Sequence, residues 1–589
     1  MKKNLIILET VMIVFLFCVS SFPLTVVGIE RNVLSSSTAS SESLSVKINI
    51  DPFTTVYEGD VINCSIIGSP QVKYWKINDG EPHMLFYGDD PVIFDPEPTP
   101  LNDEYVNLTV YIENEVGNAS DSVMIKLKRL FFGDIHWHSR LCDGKFSLDT
   151  MYKNAIDDNY LDFAAYSGHA ELLDSVDFTS PTSLVRDFVQ LLVNRVFHRS
   201  EWQTAKDKAV EYYDPGNFTT LLGFEWSAGQ WHPGGWFWGD NGREDVSHIN
   251  FYYRDVYPDA LKYSAWDKYT FDDIFQAMAE EWDKGHLNVG FPHHPLIFNG
   301  FEVNTVNWTF LADGVVNSTD RDKILRGVET YSCWGTAIGM YSGIPITWPY
   351  PSNRYYNQTD AWVENGLWKW SEEPRKNRRF VLMAGSDIHQ QSRPGSAKSK
   401  TWYYSKRGFI PDNPAGILAA YAVHNTREEI WDAMNNCSIY GLQLLKIRAN
   451  VRLDGQLAYG RWINCTSPLK IRVSVLSTFS GEDHSGKSMC PYGYSPDELE
   501  YPVSDIWLVK KDISKGRPWC KVIGHATPDK NLAVVNFEDP DVQPNDFYYV
   551  AIRQKGQQLT GKQSNNLEGT SGDEYMAFIG PIFIDQVQD

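Results

Sequence analysis

The sequence lacks the features that mark several common classes of protein. Its 589 residues include 53 Lys or Arg against 75 Asp or Glu, a net charge of −22, so binding to nucleic acid through its phosphates is not expected. No Cys-x-x-Cys pair is present, which argues against a structural zinc knuckle. There is also no Gly-x-Ser-x-Gly motif of a serine hydrolase. Beyond the N-terminus, no segment approaches the roughly 20 apolar residues that span a bilayer.

The N-terminus carries the one strongly apolar stretch. Lys2 and Lys3 precede the apolar residues 11–19, and the small residues at 26–28 offer a cleavage site, which is the pattern of a signal peptide. We therefore predict that residues 1–28 are a signal peptide, with an uncleaved membrane anchor as the alternative. The Ser-rich residues 29–45 predict a flexible tether. An extracellular or cell-surface location follows, with membrane attachment confined to the N-terminal segment.

Glycosylation motifs and cysteines bear on the same prediction. Nine Asn-x-Ser/Thr sequences predict a glycoprotein, and they begin at Asn63, Asn107, Asn118, Asn217, Asn307, Asn317, Asn357, Asn436 and Asn464. Without Cys18, seven of the eight cysteines remain, and some of them should pair outside the cell. Cys490–Cys520 and Cys437–Cys465 are the predicted disulfides, and the odd number leaves at least one free thiol.

The pattern along the chain changes twice, and the length also argues against a single core. Residues 46–128 show short alternating runs between turns, which predict an immunoglobulin-like β-sandwich, most simply a spacer. Residues 129–445 alternate apolar runs with helical segments, which predicts parallel strands with crossover helices. Those helices are expected at 147–158, 182–197, 201–213, 271–284 and 427–435, the last preceded by a capping box of Thr426 and Glu429. Residues 446–589 return to β-type runs and predict a second β domain.

Six short apolar runs in the middle part carry a histidine or an acid at their ends. Runs of about five apolar residues have the length of buried strands. In barrels of alternating strands and helices, functional groups lie where strands end at the carboxyl face. Imidazoles and carboxylates gathered there predict a polynuclear metal site. The residues are His136 and His138, His169, Glu225, His248, His293 and His294, and Asp387 and His389.

Two of these runs carry ligand-type residues two positions apart. His136 and His138 share one side of a strand, so both imidazoles can bind one ion. Asp387 and His389 repeat the spacing with a carboxylate and an imidazole. A single histidine in a core is more often only hydrogen-bonded. Two such pairs on separate strands favour metal binding.

The motifs around these residues resemble the PHP (polymerase and histidinol phosphatase) superfamily, and within it the DUF3604 family. The resemblance covers roughly residues 130–589. It is specific, because the motifs occur in the expected order with appropriate gaps. They are Gly133-Asp-Ile-His136-Trp-His138-Ser-Arg-Leu-Cys-Asp143-Gly144, Gly223-Phe-Glu225-Trp-Ser, Ser247-His248-Ile-Asn, Pro292-His293-His294, Gly385-Ser-Asp387-Ile-His389, Thr426-Arg-Glu-Glu-Ile-Trp-Asp-Ala-Met and Tyr440-Gly.

The resemblance implies a distorted (β/α)7 barrel that holds two or three divalent ions. One ion would be held by His136, His138, Glu225 and Asp387. Glu225 would bridge to a second ion bound by His248 and His293. A third site would use His169, His389 and Asp143.

Three further positions are less settled by the sequence. His294 is either a substrate contact or a packed residue. Arg393 either orients an anionic substrate or is an exposed loop arginine. Gly168 stands before His169 where superfamily members usually have Asp, which puts the third metal site in question because such neighbours tune ligands.

These residues predict a metal-dependent hydrolase. Mixed imidazole and carboxylate ligands suit Zn²⁺, Mn²⁺ or Fe²⁺, and two such ions activate a bridging water. Asp387 is the candidate proton acceptor. The favoured activity is phosphoester hydrolysis of a small-molecule or glycan-linked anionic substrate. Hydrolysis of a C–N or C–O bond is one alternative. Glycan binding is another, because the Trp-rich residues 226–238 suit either sugar stacking or a hydrophobic lid.

Overall fold

The computed structural model describes the chain in segments, and Leu44–Asp589 form one unit by their contacts. The predicted signal peptide and most of the predicted tether lie outside the described part. In that part, no helix is both long and apolar enough to cross a membrane. The described residues are 43–94, 99–158, 161–174, 200–227, 248–265, 267–268, 270–293, 297–298, 303–304, 318–333, 335–339, 341–346, 363–372, 378–389, 415–443, 445–477, 502–515, 519–555 and 574–588.

The strands are numbered along the described chain. They are β1 (Ser45–Ile48), β2 (Thr55–Tyr57), β3 (Cys64–Ile67), β4 (Val72–Ile77), β5 (Phe86–Tyr87), β6 (Asp90–Pro91), β7 (Val106–Asn114), β8 (Gly117–Asp134), β9 (Phe163–Tyr166), β10 (Thr219–Ser227), β11 (His248–Tyr253), β12 (Asn288–His293), β13 (Ile297–Phe298), β14 (Val303–Asn304), β15 (Gly327–Ser332), β16 (Gly335–Thr336), β17 (Val381–Ala384), β18 (Gly416–Ala422), β19 (Ile439–Gln443), β20 (Arg448–Leu453), β21 (Trp462–Thr466), β22 (Leu469–Leu476), β23 (Val503–Lys511), β24 (Cys520–Ala526), β25 (Leu532–Asp539), β26 (Phe547–Lys555) and β27 (Glu574–Gln588).

The helices lie mainly in the middle part of the chain. They are α1 (Leu148–Lys153), continued by a π-turn (Asn154–Asp158), α2 (Glu201–Glu211), α3 (Phe271–Asp283), α4 (Ser318–Ile324), α5 (Val363–Glu372) and α6 (Arg427–Asn435), with a short 3₁₀ turn at Ile513–Lys515.

Helix starts follow the capping residues in the sequence. Thr270 and Asp273 form a full capping box at α3, whose buried apolar residues fall at helical spacing. At α6, Thr426 accepts from the backbone N–H of Glu429, as predicted. The Glu429 carboxylate, however, accepts from the backbone N–H groups of Val423 and His424. In a full capping box it would accept from the backbone N–H of Thr426. The predicted helix at 182–197 lies outside the described residues.

The fold is mixed α/β and dominated by strands. Fifteen of the described strands form one large sheet, whose main path runs β12-β11-β10-β9-β8-β18-β19-β27-β26-β23-β24. Strands β8, β9 and β10 are parallel, as expected. Strand β11 is antiparallel to both β10 and β12, which the sequence pattern did not predict. Because of this reversal, the candidate ligand of β11, His248, is the first residue of its strand. The neighbouring strands β10 and β12 carry their candidate ligands at or near their last residues.

The described strands do not close into the expected (β/α)7 barrel. β15, β16 and β17 form a separate three-stranded sheet, with β15 and β17 parallel. Isolated parallel bridges link the two sheets, one between Gly290 and Leu325 and one between Trp137 and Ile388. Single bridges are not a continuous ladder, so the structure supports the α/β class but not a closed ring of seven strands.

The N-terminal part has its own small core. In β7, the alternate residues Val106, Leu108, Val110 and Ile112 are buried, the period of a strand with one covered face. Val106, Leu108 and Val110 pack with neighbouring apolar residues in a cluster distinct from the main core. Strand β8 then runs for 18 residues without a break across the predicted boundary at 128. The three-part division of the chain stays a prediction.

The predicted Cys437–Cys465 disulfide is wrong. Both thiols are buried and free, and Cys520 is free as well. Cys437 Sγ instead donates to the carbonyl of Arg326. Cys490 lies outside the described residues. Cysteine count alone carries no information on which side chains approach each other, which is why this pairing failed.

Candidate metal centre

Two chain segments lie side by side at the ends of β8 and β17. The backbone N–H of Asp387 donates to the carbonyl of His136 at 2.6 Å, and that of His138 donates to the carbonyl of Ile388 at 3.0 Å. This parallel register places the two predicted pairs next to each other. The rings of His138 and His389 stack with centroids 3.8 Å apart. The i,i+2 spacing therefore brings four donor groups to one place.

A second set of contacts brings the remaining donors to the same place. An isolated parallel bridge pairs His169 with Glu225. In the antiparallel ladders, Ser227 faces His248 and His248 faces His293. Because β11 runs in the opposite direction, its first residue, His248, lies beside the last residue of β12, His293. No local sequence pattern contains this arrangement.

Glu225 lies at the centre of these groups, fully buried, and each of its oxygens faces a different set of imidazoles. Oε2 lies 3.2 Å from His138 Nε2 and 3.5 Å from His136 Nε2. Oε1 lies 2.5 Å from His248 Nδ1, 3.1 Å from His293 Nε2 and 3.3 Å from His169 Nδ1. This is the geometry of a carboxylate that can bridge two neighbouring cations.

A third group lies at the more exposed end. Asp143 Oδ2 is 3.2 Å from His389 Nε2 and 3.6 Å from His169 Nε2. The Asp143 side chain is 29% exposed and that of His389 18%, whereas those of His136 and Glu225 are fully buried. The Asp143 side is therefore the more solvent-exposed side of the centre.

The donor atoms fall into three sets within which all ligand atoms lie within 4.8 Å of one another. The sets overlap more than the resemblance implied, because His138 also joins the exposed group and His169 also joins the Glu225 group. They are His136, His138, Glu225 and Asp387; His169, Glu225 and His248; and His138, Asp143, His169 and His389. His293 contacts Glu225 but is not in a set. His294 and Arg393 lie outside the described residues, as does most of the aromatic segment 226–238.

Opposite charges control the ionisation of the centre. Burial opposes the charge on Glu225, but the imidazoles of His169, His293 and His248 hold the pKa of its carboxyl well below the usual range. Burial likewise lowers the pKa of His136, yet the carboxylates of Asp387 and Glu329 raise it to about 10. Against the effect of burial, nearby carboxylates also raise the pKa values of His138 and His169 well above the usual range, so without a metal, protons on His136, His138 and His169 balance the carboxylates. A bound cation would displace these protons, since metal ligands bind in their deprotonated form.

Asp387 is held in a backbone conformation that L-residues rarely adopt. Its φ is +51°, and such strain at a non-glycine residue is typical of functional positions. The surroundings fix it: the neighbouring Ser386 donates its hydroxyl to the carbonyl of His136, and the Cys333 thiol donates to the Asp387 carbonyl at 3.2 Å. The carboxylate is thereby aimed at His138 Nε2, 3.1 Å away.

The structure explains the glycine at position 168. A Cβ placed on Gly168 would lie 2.0 Å from the Tyr166 hydroxyl and 2.9 Å from Cys142 Sγ. Tyr166 thus fills the space where a carboxylate would stand, and Asp has no room there. His169 instead contacts the Ser227 hydroxyl through Nδ1 at 2.8 Å.

Sequence reasoning missed Glu329. This residue lies in β15, is buried, and places Oε2 2.6 Å from His136 Nδ1. Burial raises the pKa of its carboxyl to about 7. The available signal was an acid inside a strand-like run, Gly327-Val-Glu329-Thr-Tyr-Ser332, where an unpaired charge is costly.

The residues present fit divalent metal binding. Imidazole nitrogens and carboxylate oxygens are the donors that zinc, manganese and iron prefer. Among the described residues, none donates a hydrogen bond to the buried Glu225 Oε2, although this oxygen lies close to two ring nitrogens. This is the arrangement expected of an oxygen that ligates a cation. The donor chemistry indicates a divalent metal.

Comparisons with known proteins agree with the sequence motifs. Residues 170–333 match a family model described as "Protein of unknown function (DUF3604)", a range that includes Glu225, His248 and His293. No curated protein matches the chain. One solved structure, from Bacteroides vulgatus, is described as a two-domain protein containing predicted PHP-like metal-dependent phosphoesterase. It is 11% identical over 77% of this chain and 96% of that chain, with a TM-score of 0.29, which is too low to carry an argument. The resemblance to the DUF3604 family is thus confirmed by the family model over residues 170–333.

Proposed function

We propose that this protein is a metal-dependent hydrolase that cleaves phosphoesters with two or three divalent transition-metal ions. The observation that carries the proposal is Glu225, whose two carboxylate oxygens face two different sets of imidazoles at 2.5–3.5 Å. Glu225 and the imidazoles around it would hold divalent cations, which would supply the charge that two-metal hydrolases use. The charges of such ions would outweigh the overall negative charge of the chain near the site.

The finer barrel architecture belongs to the same proposal. The bridges Gly290–Leu325 and Trp137–Ile388 join β12 to the start of β15 and the end of β8 to the segment after β17. Strands β8, β9, β10, β11, β12, β15 and β17 would then form one distorted ring of seven. Apart from Asp143, which lies in the loop after β8, the candidate ligands lie on these strands or within five residues of their ends.

Each part of the site has a distinct task in this reaction. Divalent ions, when bound, would supply charge neutralisation and acidify a water molecule. Asp387 is placed to accept the proton of that water, because its Oδ1 lies beside Nε2 of both His136 and His138. The fully buried ring of His136 and the carboxylate of Glu225 exclude bulk water from the inner side. The substrate enters at Asp143 and His389.

The chain is further proposed to act outside the cell. Five described acceptor asparagines are exposed, namely Asn63, Asn118, Asn217, Asn436 and Asn464, so folding leaves them open to a glycan. An expressed protein that keeps residues 1–28 and carries no glycan at any of these positions, as judged by intact mass, would count against export.

The decisive experiment combines metal analysis with turnover. Full-length protein is analysed for bound metals and assayed with p-nitrophenyl phosphate and bis-p-nitrophenyl phosphate in added Mn²⁺. Two or more ions per chain with chelator-sensitive turnover support the phosphoesterase. Metal without turnover redirects the proposal to C–N or C–O bonds. No metal, even after incubation with Mn²⁺ or Zn²⁺, refutes the hydrolase and favours glycan binding.

The variant His138→Ala tests the assignment of the site. This change should abolish turnover and lower the metal content, because His138 contacts Glu225, Asp387 and Asp143. His525→Ala is the matched control, since that partly exposed ring stacks on Trp507 in the C-terminal part. Full activity in the His138 variant would contradict the assignment.

A further inference from the structure

We propose that Glu329 is a positioning residue of this centre, which holds the Nδ1–H of His136 so that Nε2 points toward Glu225 and Asp387. The inference rests on the proposed metal-dependent function. It adds a residue that lies in none of the three donor sets and in none of the sequence motifs.

The two ring nitrogens of His136 face different surroundings. Nδ1 lies 2.6 Å from Glu329 Oε2. Nε2 lies 3.3 Å from Asp387 Oδ1 and 3.5 Å from Glu225 Oε2, among the candidate ligands. A neutral imidazole that donates its Nδ1–H has its lone pair on Nε2. The carboxylate therefore selects the tautomer that can bind a cation at the inner site and raises the basicity of that nitrogen.

The backbone is adapted to this contact in two places. The ladder between β15 and β17 shifts register between Glu329 and Tyr331, and such irregularities re-aim a side chain. Beyond β17, a Cβ on Gly385 would lie 2.5 Å from His136 Cβ and 3.0 Å from Glu329 Oε2. A glycine at that position leaves the space in which the imidazole and the carboxylate meet.

The other imidazoles have different partners for the equivalent nitrogen. His138 Nδ1 faces Asp143, and His169 Nδ1 faces Glu225 as well as the hydroxyl of Ser227; both of these carboxylates are candidate ligands themselves. Within the described chain, Glu329 is the carboxylate that contacts a candidate ligand's ring nitrogen without belonging to a donor set. This places its task in orientation rather than in ligation.

The test compares Mn²⁺ affinity in the full-length wild type, Glu329→Ala and Glu329→Gln, by calorimetric titration of the metal-free proteins. Glu329→Ala should bind the tightest Mn²⁺ ion about 10–100-fold more weakly. Glu329→Gln, whose amide oxygen can still accept the Nδ1–H, should recover most of that loss. Glu364→Ala is the control. It removes another fully buried carboxylate, one that accepts from the backbone of Gly339 and contacts no candidate ligand.

The outcomes separate the two proposals. Equal Mn²⁺ affinity in wild type and Glu329→Ala overturns the positioning role, whatever the activity. Equal losses in Glu329→Ala and Glu364→Ala also overturn it, because the loss would then be general destabilisation. Wild type that binds Mn²⁺ but hydrolyses no phosphoester refutes the phosphoesterase alone and leaves Glu329 in place. Wild type that binds no Mn²⁺ refutes both.

Discussion

At the scale of single residues, packing around the centre is tight enough for one methyl group to matter. Gly168 has an ordinary backbone conformation, so a substitution there acts through space alone. The Tyr166 hydroxyl lies where a Cβ would stand, and overpacking of a buried site typically costs about 1–3 kcal/mol.

The variant Gly168→Ala should therefore lower the free energy of unfolding by about 1–3 kcal/mol, measured by urea denaturation. Gly117→Ala is the control, because no atom lies within 4 Å of the added Cβ, and its effect should be within about 0.5 kcal/mol. Equal stability of Gly168→Ala and wild type would show that Tyr166 moves aside without cost.

At the scale of elements, helix α5 is tied to the turn after β16 by a buried acid. Glu364 accepts from the backbone N–H of Gly339, and burial raises the pKa of its carboxyl to about 7. The folded pKa lies above the unfolded one, so the folded state binds the proton more tightly. Stability is then full below about pH 4.5 and is lost progressively as the pH rises to about 7.

The variant Glu364→Gln should abolish this loss of stability at high pH, because a glutamine side chain has no proton to lose in this pH range. At pH 8 it should be more stable than wild type by an amount on the order of 3 kcal/mol, and near pH 4.5 the difference should vanish. Thermal unfolding at both pH values measures the effect. A stability difference that is independent of pH would contradict the assignment of the pH dependence to Glu364.

At the scale of the whole molecule, a buried ion pair connects the first and last parts of the chain. Glu58, just after β2, pairs with Arg448 at the start of β20, and both side chains are buried. The backbone N–H of Leu130 in β8 also donates to Glu58. Asp60 pairs with Arg452 nearby. Ion pairs thus join the N-terminal part to the C-terminal part, and β8 joins the N-terminal part to the middle part.

The variant Arg448→Ala should lower the free energy of unfolding by about 3–5 kcal/mol, because it leaves the buried Glu58 charge without its guanidinium partner. Arg472→Ala, at a more exposed position in β22, should change stability by less than about 1 kcal/mol. Urea denaturation followed by fluorescence and circular dichroism makes the comparison. Two separate transitions in the wild type would show that the parts unfold independently.

The sequence predicted the local elements and the chemistry better than their arrangement. Apolar runs and capping residues locate the strands and the helices α2, α3 and α6 closely, because both signals are local. The pairs at 136/138 and 387/389 were visible for the same reason. The reversed direction of β11 and the contact of Glu329 with His136 depend on residues far apart in the chain, and the fit of Tyr166 over Gly168 depends on how the tyrosine side chain packs. No periodicity carries that information.

The backbone hydrogen bonds between the segment after β8 and the segment after β17 determine when the centre can form during synthesis. His138 and Asp387 are separated by 249 positions, so the ribosome completes the first histidine pair long before its partners exist. Contacts of such long range form late and slowly. His136 and His138 must therefore remain an incomplete site through more than 200 further residues of translation. A cation bound before Asp387 is synthesised would lack that carboxylate, so the complete set of His136, His138, Glu225 and Asp387 forms only in the finished fold.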